Sequence, residues 1–452
     1  METELVLKGG KVALPTGITE ANISVGDEKI LSISKTLSRG VEKEAERVVD
    51  CSGKLVLPGG IDFHTHIPDL GYSDREDWKT GTESAAAGGT TFVVELGQTD
   101  PPSTNRENFK KIRKTAERKA VVDFGINGNI THENLDSLGK LVEEGVKTFG
   151  EIYMAESIPE LEMIEDGVLL EAFEKISSLD CLAGVHAEDW QIISHLTENM
   201  KREGRNDSLA HLEARPSIAE EEAIARALLF ARRTGVRLHV YHLSTEAGLK
   251  LIEEAKEKGQ DVSTEVTAHH LLFERGDMEE KGPYLKCNPP IRGKSDQKAL
   301  WNGLKSGTID MVTTDHYSLP RSMKKVGWEN IWEAGAGMAG VETRIPLLLT
   351  HGVKNNRISI RTFLKVVSEN PARRLGLWPR KGVISVGSDA DLTVVDMDEE
   401  KEIRAEETFT KCEHTPYEGE KVVGMPVLTL VRGKVVMEDG EIVAEPGHGN
   451  FF

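Results

Sequence analysis

Apolar positions along this chain follow two rhythms. At both ends they alternate with polar ones over short runs broken by turn residues. "ELVLKGGKVALP", "EANISVGDEKILSISKTL" and "RVVDCSGKLVLPG" lie at one end, "GVISVGSDADLTVVDMD" and "VLTLVRGKVVMEDGEIVAEPG" at the other. A period of two between turn residues predicts hairpin-like strands. In the middle, short apolar runs take over: "TTFVVELG", "VVDFGING", "VKTFGEIYM", "LAGVHAED", "RLHVYHLST", "DVSTEVTAHH" and "IDMVTTDH". Helical stretches such as "NRENFKKIRKTAERKA" and "SIAEEEAIARALLFARRTG" lie between several of them. Strand–helix alternation on this scale predicts parallel βα units, closed into a (β/α)8 barrel. An open doubly wound sheet is the alternative, but no Gly-rich dinucleotide loop follows an early strand. The expected class is α/β, with a TIM-like barrel over 56–384 and a small β-sandwich domain from 1–55 and 385–452.

Composition narrows the partners. The 452 residues exceed a usual single domain, which fits one large unit plus a smaller one. A formal net charge of -19 argues against nucleic acid or an anionic membrane as main partner. It leaves an anionic small substrate open, because charges inside a pocket dominate there. Cys51, Cys181, Cys287 and Cys412 are far apart and form no CxxC pair, so neither a disulfide framework nor a cysteine zinc site is expected. A reducing, cytoplasmic location fits. The first residues carry no secretory pattern, and no apolar run reaches the length of a membrane span.

Candidate chemistry sits where strands end. "LPGGIDFHTH" closes on His64 and His66, two apart and therefore on one face of a strand. Two imidazoles so placed suit zinc or a similar divalent ion, although a His-x-His pair also arises by chance. Other strand candidates end near Glu151, His186, His242 and Asp315. In a barrel those ends converge on one face. Read singly, a strand histidine is more often structural, Asp315 an N-cap, and Glu151 one half of a salt bridge. Read together, the four histidines and Asp315 suggest metal ligands, with Asp315 also placed to act as general base, whereas Glu151 on its own stays a salt-bridged or solvent-facing acid. His239, three before His242, falls on the other side of a regular strand and is read as packing.

These residues resemble a known family, the cyclic amidohydrolases: dihydroorotase, allantoinase and hydantoinase. The resemblance covers nearly the whole chain. It is carried by "LPGGIDFHTH", "GTESAAAGGTTFVVE", "VHAED", "LHVYHLST", "EVTAHHLLF", "KCNPPIR", "IDMVTTDH", "GVETRIPLLLT", "SENPARRLGL" and "GSDADLTVVD", in the family's order. It implies a distorted barrel with a β-sandwich from both ends. It also implies a one- or two-metal centre, usually zinc, on His64, His66, His186 and His242, with Asp315 as ligand and base. The reaction implied is hydrolysis of a ring amide C–N bond. Relatives are commonly dimers or tetramers, so a homo-oligomer is expected.

Two departures limit the resemblance. The family bridges its metals with a carboxylated lysine, and alignment of "IYMA" puts Glu151 there. Glu is anionic without carbon dioxide, but shorter, so one metal or two remain open. Lys147 lies four residues upstream and is a poor substitute. Dihydroorotases also read His-x-His-Phe-Arg, the arginine gripping the substrate carboxylate; here the run is His-Thr-His-Ile-Pro. Pro68 cannot donate a hydrogen bond. A substrate-contacting Asn becomes Gln98, and a His becomes Leu319. Gln98, Asn288 and Arg292 are the candidate substrate contacts, with Arg75 or Arg292 placed to compensate. The leading expectation is a dihydroorotase-like enzyme of pyrimidine biosynthesis. Allantoinase or hydantoinase is the close alternative, and a non-catalytic scaffold relative the remote one.

Overall fold

Both rhythms become sheet, but of different kinds. The computed structural model describes residues 2–158 and 161–452. β1 (Leu5–Leu14), β2 (Gly17–Gly26) and β3 (Lys29–Ser34) form an antiparallel meander. β4 (Arg47–Asp50) and β5 (Leu55–Pro58) pair with β1 in parallel.

The barrel follows directly. Its strands are β6 (Gly60–His66), β7 (Thr90–Glu95), β8 (Asp123–Ile126), β9 (Thr148–Tyr153), β10 (Leu182–His186), β11 (Arg237–Val240), β12 (Val262–Thr267) and β13 (Met311–Thr313). Every ladder among them is parallel. β6 and β9 are buried along their whole length, as strands enclosed by helices must be. The ladders form two arcs, β6-β7-β8 and β9 to β13, and the seams between the arcs are irregular. At one seam Gly128, beyond β8, bridges Phe149. At the other, the buried guanidinium of Arg344 donates to Ile61 O at 2.9 Å and Val312 O at 2.8 Å. A short β14 (His316–Tyr317) then pairs with β6. These seams are where the barrel is distorted.

Helices seal the outside by their apolar faces. In Arg106–Lys119, Phe109, Ile112 and Ala116 face inward, Asn105 caps the first turn, and Arg118 and Lys119 close the last.

The remaining strands complete the first sheet. β15 (Leu392–Val395) lies antiparallel between β5 and β18 (Pro426–Val431), and β19 (Lys434–Glu438) and β20 (Glu441–Ile442) extend the edge. Hydrogen bonding is continuous through all these strands, with Val12, Ile23, Val56, Leu392 and Leu430 in its core. Among the described residues β16 (Glu400–Glu402) and β17 (Lys421–Val423) pair only with each other, and they carry an arm, 403–420, onto the barrel. Phe409 N donates to Glu342 at 3.0 Å and Thr410 Oγ1 to Glu76 at 2.5 Å. Near residue 450 the chain returns to β8, where Phe124 N donates to Asn450 O at 2.9 Å.

A buried ionic cluster ties sheet to barrel. Lys381 Nζ lies 2.6 Å from Asp123, 2.8 Å from Asp391 and 3.1 Å from Asp389. Arg432 also pairs with Asp123, and Lys29 and Arg380 with Asp389.

Candidate metal centre

Six side chains meet at the C-terminal ends of the barrel strands. His64 and His66 share one face of β6, as their spacing predicts. His64 Nε2 lies 3.2 Å from His66 Nε2, and Asp315 Oδ1 lies 3.2 Å from the first and 3.0 Å from the second. A second trio stands beside this one. His186 Nδ1 is 3.1 Å from Glu151 Oε1 and 3.0 Å from His242 Nε2, and the last two atoms are 2.6 Å apart. Glu151 belongs to both: its Oε2 is 3.7 Å from His64 Nε2 and 4.0 Å from His66 Nε2. Asp315 and His242 reach in from left-handed backbone, with φ of 48° and 33°. Non-glycine residues avoid that region at a cost of about 1–3 kcal/mol each, and such strain concentrates at functional sites.

The donor set fits a divalent cation. An ion bound tetrahedrally at about 2.0–2.2 Å has ligand–ligand edges of roughly 3.3–3.6 Å; the first trio's 3.0–3.2 Å lies just under that range, and the second trio's 2.6–3.1 Å is tighter. Nitrogen and carboxylate oxygen are the donors zinc takes. Neighbouring groups fix two of the four ring tautomers from behind, while His66 Nδ1 and His242 Nδ1 find no partner among the described residues. His64 Nδ1 faces Glu265 Oε1 at 2.5 Å, and His186 Nε2 faces Glu188 Oε2 at 2.9 Å. Glu188 is itself paired with Arg215. Tyr153 Oη donates to Glu151 Oε2 at 2.7 Å and accepts from Gln98 Nε2 at 2.8 Å.

Electrostatics point the same way. Burial raises the Asp315 carboxyl, but His64 and His66 outweigh it and hold it well below the usual range. Burial also opposes ionisation of Glu151, and His186 and His242 overcome it. Burial lowers His186, yet Glu151 and Glu188 push it up to about 9. Both carboxylates are thus held ionised among the ring nitrogens of the two trios.

Not every expected residue arrives. Gln98 and Asn288 line the inner pocket with the trio residues. Asn288 Nδ2 donates to Ser157 Oγ at 3.0 Å. Arg292, expected as a substrate contact, is not among the lining residues. Its guanidinium is held by Ser244 Oγ at 3.0 Å, Glu220 Oε2 at 3.3 Å and the Arg215 carbonyl. Arg75 stands at the edge of an outer vestibule of about 890 Å³, its Nη1 2.6 Å from Tyr317 Oη. Trp190, Ile193, Leu161 and Trp332 line the same vestibule. Pro68 and Leu319 are buried. Lys147 opens onto different pockets, beside Leu377 and Phe452.

Sequence reasoning missed Glu265, Glu188 and Tyr153. The signal for Glu265 was an acid inside an otherwise apolar strand, "DVSTEVTAHH"; for Glu188, an acid two residues after a ligand candidate. A further trio, His269, His270 and Cys287, lies within 4.8 Å. Two of its groups already have partners: His270 sits between Thr267 and the Pro289 carbonyl, and Cys287 Sγ donates to that same carbonyl, while His269 Nε2 has none among the described residues.

The model of a family described as the amidohydrolase family matches residues 55–436. An L-hydantoinase of Paenarthrobacter aurescens is 38% identical over 450 residues, covering 99% of this chain and 97% of the relative. A dihydroorotase of Methanosarcina acetivorans is 38% identical over 455 residues, covering 99% and 95%. Among solved structures, the L-hydantoinase (dihydropyrimidinase) from Arthrobacter aurescens superposes with a TM-score of 0.96 at 38% identity, covering 99% of both chains. No described helix is long and apolar enough to cross a membrane.

Proposed function

The chain belongs to the amidohydrolase family, and from that premise we propose that it hydrolyses a ring C–N bond of a small cyclic amide at a two-cation centre. One observation carries the reading: Glu151 places one oxygen in the second trio and turns the other toward the first. Glu151 thus takes the bridging position that the resemblance assigns to a carboxylated lysine. His64, His66 and Asp315 would hold one cation, and His186 and His242 the other. Zinc or a similar divalent ion, when bound, supplies Lewis acidity and hydroxide near neutral pH. Asp315 stays ionised beside His64 and His66, so it can accept a proton and deliver it to the leaving ring nitrogen. Gln98 and Asn288 orient the ring from the pocket wall. Retention of His64, His66, His186, His242 and Asp315 speaks against a non-catalytic scaffold.

The substrate is best read as an uncharged cyclic ureide of the hydantoin kind, rather than dihydroorotate. Two positions that would grip a substrate carboxylate are the buried, apolar Pro68 and Leu319. An arginine–carboxylate pair is strong because it is bidentate and charge-assisted, and proline offers no donor. Arg75 at the vestibule edge favours dihydroorotate as a second reading. We propose that the enzyme is a cytoplasmic homo-oligomer; light scattering is expected to give the mass of a dimer or tetramer, and a monomer mass overturns the oligomer. The deciding experiment offers hydantoins, dihydrouracil, allantoin and dihydroorotate to the zinc-loaded enzyme. Turnover of an uncharged ring with dihydroorotate inert is expected; turnover of dihydroorotate alone overturns the substrate assignment.

A further inference from the structure

We propose that Glu265 is the positioning residue that holds the two halves of the centre in register; the inference rests on the two-cation reading above. Glu265 lies on β12 with its side chain wholly buried. Its Oε1 faces His64 Nδ1 at 2.5 Å and accepts the backbone N–H of His242 at 3.3 Å. Its Oε2 faces His239 Nε2 at 3.2 Å. His64 belongs to one trio and His242 to the other. One carboxylate therefore grips a side chain of the first trio and the main chain of the second.

Each contact has a consequence for ligand geometry. An anionic acceptor at Nδ1 keeps the His64 proton there, so the Nε2 lone pair points at His66 and Asp315. His242 lies just beyond β11, where the backbone has turned left-handed. The bond from its N–H to Glu265 anchors that turn, and the turn aims Nε2 at Glu151 and His186. His239 supplies a further donor to the buried carboxylate, and its Nδ1 is tied to Ser263 Oγ at 2.8 Å. A buried carboxylate short of donors is costly, so His239 is what allows Glu265 to stay charged there.

Glu188 provides an internal contrast. It meets one ligand, His186, from behind, and Arg215 balances its charge. Removing charge at Glu188 should disturb one cation, and removing it at Glu265 both.

The test titrates metal-stripped protein with Co2+ against a competing chelator and follows the visible spectrum of the bound ion. Wild type is expected to take two equivalents. Glu265→Gln is expected to weaken both by about 10–100-fold, the usual cost of losing a partner behind a ligand, with an altered spectrum for each. Glu188→Gln is expected to weaken one. If Glu265→Gln does not fold, Glu265→Asp keeps the charge but withdraws it by one methylene, and should again weaken both together. His239→Gln retains a donor and should keep both tight. Wild-type affinity in the Glu265 variants, or loss of a single equivalent, overturns the proposal. A wild type that takes up fewer than two equivalents of Co2+ removes the two-cation reading itself, and the proposal with it.

Discussion

Two buried charge clusters sit at opposite ends of the barrel strands, and they are built on different rules. At the sheet–barrel junction, Asp123, Asp389 and Asp391 surround the ammonium of Lys381, with Arg432 on Asp123. Carboxylates there are matched by cations of the chain itself. At the centre, Glu151 and Asp315 face imidazole nitrogens, and those nitrogens face one another at 3.0–3.2 Å. The junction is electrically complete as folded, whereas the centre is a set of donors shaped for a divalent ion. Burial of charge alone therefore does not identify a functional site; the identity of the counter-charge does.

The contrast breaks most visibly at Asp315. Asp315→Asn should leave the far-UV circular dichroism unchanged and cut kcat by about 10²–10⁴-fold, the range general acid–base catalysis supplies. Retention of more than a tenth of the turnover would remove Asp315 as the base. Lys381→Met probes the other cluster. Leaving buried carboxylates without their cation should cost about 3–5 kcal/mol of unfolding free energy in urea. Metal content per folded chain should stay at the wild-type value; a parallel loss of metal would show the two clusters to be one unit. Glu151→Gln should reduce bound metal from two equivalents toward one by elemental analysis, with the fold intact. Unchanged stoichiometry would take Glu151 out of the centre.

The smallest effect is a pH dependence at the junction. Burial raises the Asp389 carboxyl, but Lys381 and Lys29 lower it below its ordinary value of 3.8. A carboxylate with a depressed folded value adds stability above its unfolded value and loses it as pH falls through the folded one. The urea midpoint should therefore fall below about pH 4, and fall less in Asp389→Asn. Equal slopes would mean that Asp389 contributes nothing to acid sensitivity.

The parts legible in the sequence were those with a period. Barrel strands announced themselves as apolar runs, and His64 and His66 as neighbours on one face, because both follow from strand geometry. His239 shows where that logic stops. Three residues from His242, it belongs on the far side of a regular strand, yet β11 ends at Val240 and the chain turns. Both residues consequently reach Glu265, one by its ring and the other by its backbone N–H. Arg292 failed for a related reason. A guanidinium has donors enough to satisfy several buried acceptors, and here Glu220 and the Arg215 carbonyl claim it. Arg344 at the barrel seam and the 403–420 arm carried no signal, since single long-range hydrogen bonds leave no periodic trace.

The pairing of β5 with β15 has a consequence for biosynthesis. Pro58 pairs in register with Leu392, so β5 must wait for a partner made far later. At synthesis rates of about 5–20 residues per second, the delay is roughly 20–70 s. Throughout it, the nascent chain presents an apolar edge strand with unpaired amides, a template for any neighbouring polysome product. Expression yield should thus depend on translation speed and chaperone supply more than on the stability of the finished enzyme.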